Sequence, residues 1–259
     1  METKKTILSE KDSQIIEEII LKFGRIVRSK DLLSIFEKKY SKAGAHNRIQ
    51  KLHKFGWFLR IKKGMYLIVE NISSRFVNDK SLFLVARAIK EDSYISLHSA
   101  LNYHQMFDQY SKSIAVVNYN ISKNYNFSDN VIRFIKIAKK YYFGFSEVRH
   151  EGKILNMASK EKALIDYLYL DNSFYSVSLV YEKMKNHKNI IDFKLLQFIA
   201  SKFGVSVQRK VGFLLDQLEI DSNYLFKKVK KEKSFSRFTK DSKIFNAKWR
   251  LYYDDRIIK

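Results

Sequence analysis

Residues 43–55 carry amide, guanidinium and ammonium side chains on one side of a predicted helix. Ala45, Ile49 and Leu52 recur at spacings of four and three, which predicts that they share a buried face. The opposite face carries polar and basic side chains, which are Asn47, Gln50, Lys51 and Lys54, with Arg48 and His46 at its flanks. Asn and Gln pair bidentately with adenine, Arg pairs with guanine, and Lys contacts phosphates. This face therefore predicts a surface that reads the major groove of duplex DNA.

Two residues at the flanks of this surface have a second interpretation. Arg48 has the alternative of an ion pair at the protein surface. His46 lies at the edge of the apolar face, where a packed neutral imidazole is as reasonable as a base contact. A basic helix face is also commonly only a solvated face, and helical modules of this kind also dock proteins. These alternatives stay open on the sequence alone.

The elements around this helix follow a definite order. The pattern predicts a helix at about 12–23, a short strand at Ile26–Val27, and a second helix that Ser29 caps. Downstream, two β-runs flank the basic turn Lys62-Lys63-Gly64, which predicts a hairpin. Helix, strand, helix, helix and hairpin is the order of a winged helix-turn-helix, with the third helix as the reading helix. Arg60 in the hairpin, with Lys62 and Lys63 at the tip of the wing, completes the predicted DNA contacts.

The remainder of the chain predicts an α+β fold. Helices are expected at about 80–90, 96–104, 175–185, 192–203 and 206–218, with a further helix capped by Ser159, and strands at 114–117, 131–138, 141–148 and 153–157. Residues 118–130 are polar and are expected to form a loop. We therefore divide the chain into a winged helix-turn-helix domain at 1–70, an α+β domain at 71–220, and a basic tail at 221–259 that packs on or extends from the second domain.

The charge balance indicates a polyanionic partner. Lys and Arg number 49 against 27 Asp and Glu, which gives a net charge of +22. Neutralising phosphates with basic side chains releases counterions and favours binding to nucleic acid. The same chain is rich in Lys, Ile, Asn, Phe and Tyr and has 0 Pro, which AT-rich codons produce by themselves. The location of the charge, which is concentrated at the two ends of the chain, is therefore more informative than its total.

Composition excludes several other classes of protein. No stretch approaches 18 uninterrupted apolar residues, so we expect no membrane-spanning helix and no membrane partner. The first residues lack the apolar region and cleavage site of a signal peptide. Cys is absent, which excludes disulfides and thiolate metal sites. We expect a cytoplasmic protein.

The residues that come closest to an active site are Glu161, Lys162 and Asp166. Lys162 and Asp166 are spaced i, i+4 on a predicted helix, and we favour a surface ion pair or a fold-stabilising role over chemistry. His98 and His104 fall on different faces of a helix and have no carboxylate at ligand spacing, so no metal site is expected. The phosphate-binding, dinucleotide-binding, hydrolase and metalloprotease motifs are absent from the sequence. We expect neither enzymatic activity nor a cofactor.

Three segments of the chain share a pattern with one known family. Residues 46–68, HNRIQKLHKFGWFLRIKKGMYLI, follow the order of a reading helix, a Gly, a short strand, a basic turn and an aromatic strand. Residues 94–106, YISLHSALNYHQM, contain a Ser-Ala-Leu helix, and residues 156–170, NMASKEKALIDYLYL, contain Ala-Ser-x-Glu-Lys-Ala-Leu-x-Asp. These segments resemble the AbiEi-type antitoxins, which are the transcription-regulating antitoxins of type IV (AbiE) toxin–antitoxin, abortive-infection systems. Lys160 stands where many members have Pro, as befits a chain without Pro.

The resemblance implies two activities for the chain. One is repression of its own promoter, where the winged helix would bind repeated sites in double-stranded DNA. The other is neutralisation, by the second domain, of a toxin that resembles a nucleotidyltransferase, as part of phage defence. The basic run in the tail, Lys227, Lys228, Lys230 and Lys231, would then extend the DNA footprint, contact an acidic toxin surface, or form a solvated, poorly ordered segment.

Two other functions stay open. The chain has the alternative of a stand-alone winged-helix transcription factor whose second domain senses a ligand or forms a dimer. A nucleic-acid-processing enzyme that uses the basic tail as a clamp is the remaining alternative.

Overall fold

The structure is a computed structural model that describes residues 8–69, 79–109, 111–150 and 152–258. Its described backbone is of the mixed α+β class. The first elements, which we call the N-terminal module, are α1 (Glu10–Phe23), β1 (Ile26–Arg28), α2 (Ser29–Phe36), α3 (Lys42–Lys54), β2 (Phe58–Lys62) and β3 (Met65–Ile68). The helices and strands of this module follow the order that the sequence predicts.

Local signals at their ends define α1 and α3. The Ser9 side chain accepts a hydrogen bond from the backbone of Asp12 at the start of α1, and Gly24 ends the helix with a φ of 77°. The Ser41 side chain accepts from the backbone of Gly44 and starts α3. The predicted capping role of Ser29 is wrong. Ser29 is the first residue of α2, and its backbone N–H donates to the Gly64 carbonyl in the hairpin turn.

The three strands of the module form an antiparallel sheet in the order β1-β3-β2. Phe58 and Ile68 on one face of this sheet belong to the core formed by α1, α2 and α3. Leu67 belongs to the larger core of the rest of the chain, against which Leu59 and Ile61 also pack. Each face of the sheet therefore packs on a different core, and the sheet joins the module to the rest of the protein.

The second part of the chain surrounds a six-stranded sheet. Its elements are α4 (Asp79–Ile89), β4 (Tyr94–Ile95), α5 (Leu97–Tyr103), β5 (Ser113–Asn118), β6 (Lys123–Phe127), β7 (Asn130–Lys136), a 3₁₀ turn at Lys139–Tyr141, β8 (Phe145–His150), β9 (Lys153–Ala158), α6 (Lys160–Leu170), α7 (Phe174–Asn186), α8 (Phe193–Ser201) and α9 (Val205–Gln217). The strand order is β6-β7-β5-β4-β9-β8, and it alternates antiparallel with parallel pairs. Helix α6 is buried from Glu161 to Leu168 and forms the centre of this part.

Two predicted elements of this part are wrong. The predicted loop at 118–130 contains the edge strand β6, whose side chains are mostly polar because only one neighbouring strand and few core residues touch it. The predicted strand at 141–148 begins only at Phe145, since Tyr141 lies in a 3₁₀ turn and Gly144 has a φ of 79°.

The basic tail is folded in the part that the structure describes, so the alternative of a poorly ordered segment is wrong. It forms α10 (Asn223–Val229) and a three-stranded sheet of β10 (Ser236–Arg237), β11 (Ile244–Asn246) and β12 (Leu251–Tyr253), followed by a 3₁₀ turn at Asp255–Ile257. Trp249 is 1% exposed, and its ring lies so close to Gly212 of α9 that a Cβ there would approach it to 2.0 Å. The Trp249 Nε1 donates to Asp216 at 2.7 Å. These contacts attach the tail to α9.

None of the described helices combines the length and apolar character needed to cross a membrane.

Candidate nucleic-acid interface

Helix α3 separates apolar from polar side chains as its spacing predicts. Ala45, Ile49 and Leu52 are buried in the core of the module. The four polar side chains on the opposite side are exposed, and we call them the α3 outer face: Asn47, Gln50, Lys51 and Lys54. Helix α3 contains no Asp or Glu, so no acidic side chain of its own neutralises this face. The arrangement presents two amides and two ammonium groups to solvent along one side of a helix.

Arg48 is held in an ion pair, which is the alternative that the sequence left open. Its Nε donates to Asp12 Oδ1 at 2.7 Å, and its NH2 group pairs with Asp12 Oδ2. The Asp12 side chain is fully buried, whereas a quarter of the Arg48 side chain is exposed. The Ser9 hydroxyl also donates to Asp12 at 2.6 Å. This bidentate pair joins α3 to α1, and it occupies the Nε and NH2 edge of the guanidinium, one of the edges that could pair with guanine.

Two histidines of α3 bond to backbone carbonyls. His46 is exposed, and its Nδ1 donates to the Lys42 carbonyl at 2.9 Å. His53 Nδ1 donates to the Phe58 carbonyl at 2.6 Å, and its ring contacts the Tyr66 ring with centroids 5.8 Å apart. His46 is therefore not packed in the core, while His53 connects the end of α3 to the hairpin.

The hairpin places its three basic residues in different surroundings. Arg60 is exposed and lies opposite Tyr66, whose ring contacts His53 at the end of α3. Lys63 is exposed in the turn beside Gly64. Lys62 Nζ donates to the Ala88 carbonyl at 2.6 Å, which satisfies one of the last carbonyls of α4. A DNA contact by Lys62 would therefore have to replace the hydrogen bond that links the hairpin to α4.

A second group of charges is buried at the centre of the protein. Lys162 and Asp166 of α6 form an ion pair in which both side chains are 0% exposed. Lys162 Nζ donates to the Tyr94 hydroxyl at 2.7 Å, and the Tyr94 and Ser96 hydroxyls donate to Asp166 at 3.1 and 2.7 Å. We call these four residues the buried tetrad. Of the two interpretations that the sequence favoured, the surface ion pair is wrong, because the pair lies inside the core, and the fold-stabilising role remains.

Burial governs the electrostatics of the tetrad. Removal from water lowers the pKa of Lys162 and raises the pKa of Asp166, while the attraction between the two charges opposes both shifts. Burial, with Asp166 nearby, raises the pKa of Tyr94 well above its ordinary value. The aliphatic stem of Lys162 lies against Gly144, where a Cβ would come within 3.0 Å of it. The four side chains of the tetrad bond to one another, and we interpret the tetrad as a group that stabilises the core.

The other candidate catalytic residues bond to the backbone. Glu161 is 3% exposed and accepts from the Asp192 N–H at 3.1 Å, at the start of α8. His98 and His104 donate to the carbonyls of Ser113 and Ala158, each at 2.8 Å. Within the described ranges, no three His, Asp or Glu side chains come together to hold a metal ion.

The predicted contact residues of the tail are exposed on and after α10. Leu225 and Val229 of α10 are buried, while the basic side chains around them face solvent: Lys227, Lys228, Lys230 and Lys231. They form a basic surface on a different element from α3. The sequence did not predict two sets of partners. One is Asp12, which pairs with Arg48, and the other is Tyr94 with Ser96, which donate to Asp166. The Ser9-x-x-Asp12 spacing indicates only the start of α1, so no local signal pointed to either set of partners.

Comparison with known proteins bears on the fold. No family model and no curated protein matches the chain. Among solved structures, the crystal structure of the RV2827C protein from Mycobacterium tuberculosis is similar, with a TM-score of 0.68 and 14% sequence identity over 97% of this chain and 94% of that chain. At this level of identity the similarity shows the fold alone. The α+β fold described above is therefore shared with that protein over nearly the whole chain.

Proposed function

We propose that this chain is a DNA-binding transcriptional autorepressor whose N-terminal module is a winged helix. The observation that carries the proposal is the α3 outer face, an exposed set of two amides and two lysines on a helix without acidic residues. Helix α3 has 13 residues and is about 20 Å long. The major groove of B-DNA is wide enough to admit an α-helix. The order of elements and the β1-β3-β2 sheet support the assignment.

The proposal gives each side chain a role. Asn47 and Gln50 read base edges, while Lys51 and Lys54 neutralise phosphates. Arg60 and Lys63 contact the sugar-phosphate backbone of the DNA beside the major groove. Arg48 acts indirectly, since its pair with Asp12 holds α3 against α1.

We also propose that the chain is an antitoxin of the type IV (AbiE) kind, which acts in the cytoplasm against a nucleotidyltransferase-like toxin. This part rests on the resemblance of residues 94–106 and 156–170 to AbiEi-type antitoxins. The two segments meet in the buried tetrad, where Ser96 donates to Asp166. Since these motif residues are buried, they maintain the fold, and the toxin must be opposed by exposed residues elsewhere.

One observation favours the second candidate, a transcription factor that senses a ligand. A cleft of about 390 Å³ lies between the module and the second part of the chain, lined by Arg28, Asp31, Lys62, Arg87 and Glu91 among others. A small polar molecule bound there would contact both the hairpin and α4. Such a ligand would alter operator affinity without any toxin.

The test of DNA reading is titration of the full chain with a labelled duplex of its upstream promoter and with a scrambled duplex. We expect preference for the promoter, and Asn47→Ala or Gln50→Ala should cost about 1–3 kcal/mol on the promoter and little on the scrambled duplex. Gln14→Ala, which removes an exposed amide from α1, is the matched control. Equal affinity for both duplexes contradicts autorepression.

The antitoxin role is tested separately, first by whether a nucleotidyltransferase-like gene adjoins the gene of this chain, and then by co-expression of the two. Relief of the growth arrest, also by the Asn47→Ala variant, supports an antitoxin whose action is independent of DNA reading. Persistence of the arrest removes the antitoxin role and leaves the transcription factor.

A further inference from the structure

The C-terminal sheet carries a row of aromatic and guanidinium groups across its outward face. Arg237, Tyr252 and Phe245 lie side by side in β10, β12 and β11, because the register pairs Arg237 with Tyr252 and Phe245 with Tyr252. The Phe245 and Tyr252 ring centroids are 4.9 Å apart, and the Arg237 guanidinium lies 4.0 Å from the Tyr252 centroid. Phe235 extends the row, with its ring 5.6 Å from that of Tyr252. We call these four side chains the aromatic platform.

Strand alternation directs this row away from the core. The neighbouring residues Phe238 and Tyr253 point inward and contact Phe213 of α9, with centroids 5.6 and 4.7 Å apart. The opposite face is exposed, and Phe235 and Phe245 show 60% and 46% of their surfaces to solvent. Large exposed rings in one row mark an interaction surface rather than scattered apolar residues.

The platform is held in shape before any partner arrives. Arg237 NH1 donates to the Ser242 carbonyl at 2.7 Å, which holds the guanidinium over the Tyr252 ring. Arg250 Nε donates to the Ser234 carbonyl at 3.0 Å and braces the segment immediately before Phe235. A preformed surface loses less side-chain entropy on binding.

Arg250, which bonds the carbonyl of Ser234 next to Phe235, also lines a pocket of about 260 Å³. Lys230 and Arg209, which is 1% exposed, line it too, as does Lys248, whose ammonium pairs with Asp216 at 2.7 Å. The residues that line this pocket in the described chain include no Asp or Glu. Burial, and then the charge of Arg250, lower the pKa of Arg209, while the nearby charge of Glu232 opposes this shift. Arg250 and Lys230 are exposed, and their charges give this pocket a positive potential that attracts phosphate.

We propose that the aromatic platform binds single-stranded nucleic acid, with unpaired bases stacked on the exposed rings of Phe235 and Phe245 and phosphates attracted by the charges of Arg250 and Lys230. Stacking on exposed rings requires bases whose faces are free, which duplex DNA does not offer. A second copy of the chain would bring like charges together, because the rings are interleaved with Arg237 and flanked by Arg250. The site is separate from the α3 outer face, so the inference goes beyond the proposed reading of duplex DNA.

The experiment measures fluorescence anisotropy of labelled oligouridylate and oligothymidylate, each of about 12 nucleotides, with the full chain. We expect Phe235→Ala and Phe245→Ala each to weaken binding about tenfold, since removing one stacked ring costs about that much. Lys230→Ala should reduce the slope of log affinity against log salt by about 0.7. Binding of the ribose or the deoxyribose strand supports the proposal, and the tighter of the two identifies the natural ligand.

Two controls separate stacking from folding. Phe198→Ala removes a ring that is 50% exposed on α8, with Lys202 4.8 Å above it, and should leave binding unchanged. Phe245→Trp should restore affinity relative to Phe245→Ala and should show quenching of the new indole by bound bases. Because Phe245→Trp keeps a large ring in place, it stays informative where an Ala variant fails to fold.

Three results would overturn the proposal. One is wild-type affinity in both Phe→Ala variants with an intact fold. Another is equal loss in Phe198→Ala. The third is competition in which the promoter duplex displaces the oligonucleotide and Asn47→Ala weakens both, since the oligonucleotide would then occupy the α3 outer face. Loss of promoter preference with retained single-strand binding instead contradicts the autorepressor alone.

Discussion

Two exposed lysines of α3 and two buried lysines of the second part of the chain are used in opposite ways. Lys51 and Lys54 are exposed on a helix without acidic residues. Lys162 and Lys210 are 0% and 3% exposed, and each is bound on the inside of the protein. Lys162 pairs with Asp166, and Lys210 donates to the Leu168 carbonyl at 3.2 Å. A net charge of +22 therefore combines cations that are available to a partner with cations that the fold has already used.

The physical reason for the difference is desolvation. A buried ammonium loses its hydration and must recover that free energy from a carboxylate, hydroxyls or carbonyls. An exposed lysine keeps its hydration and gives it up only when a phosphate replaces it. Removing a buried cation should thus change stability, and removing an exposed one should change binding. Three sets of substitutions, from the largest expected effect to the smallest, test this division.

Breaking the buried tetrad should have the largest effect. Lys162→Met leaves Asp166 buried without its partner, and we expect a loss of about 3–5 kcal/mol in the free energy of unfolding, measured by urea denaturation. The double variant Lys162→Met with Asp166→Leu should recover most of this loss, because it removes both charges. Lys51→Met is the exposed control and should change stability by less than about 0.5 kcal/mol. If all three variants lost similar, small amounts of unfolding free energy, the difference between buried and exposed lysines would be contradicted.

Arg48 tests the boundary between the two groups. Arg48→Ala leaves the Asp12 carboxylate unpaired, and we expect a loss of about 2–3 kcal/mol of stability, less than for the tetrad because Arg48 is a quarter exposed. Its affinity for promoter and scrambled duplex, corrected for the folded fraction, should fall by the same factor. A selective loss on the promoter at unchanged stability would return Arg48 to the base-reading residues.

The exposed lysines should show the smallest change in free energy and a specific dependence on salt. Lys51→Ala and Lys54→Ala should each reduce the slope of log affinity against log salt by about 0.9 on any duplex, because each releases one phosphate contact. The thermal midpoint should be unchanged. If the slope stays at the wild-type value in both variants, these lysines are only a solvated face.

Much of the N-terminal module was predictable because its signals are local. The spacing of Ala45, Ile49 and Leu52 predicted which side of α3 is buried, and the structure confirms it. The hairpin around Gly64 was equally clear, since a φ of 75° there suits a glycine turn. The orientation of Asn47 and Gln50 followed from helix geometry alone.

The partners of the charged residues were not predictable in this way. Asp12 and Arg48 are 36 residues apart, and Tyr94 and Asp166 are 72 apart. A helical i, i+4 pair reads the same in sequence whether it faces water or the core, and for Lys162 and Asp166 the surface was the wrong choice. The fold of the tail was not predictable for a related reason. Trp249 packs on Gly212 and donates to Asp216, and both partners lie in α9, more than 30 residues earlier in the chain.

The sequence by itself determined the basic character of the chain. It also determined the order of the elements in the N-terminal module and the apolar side of α3, because these depend on residues within a few turns of one another. Only the tertiary structure decided which charges are free. Burial and pairing depend on residues far apart in the chain, and they removed Arg48 and Lys162 from the available cations while leaving Lys51 and Lys54 exposed. The same long-range packing turned the tail into a sheet with an aromatic platform, since its outward face exists only once Phe238 and Tyr253 pack on α9.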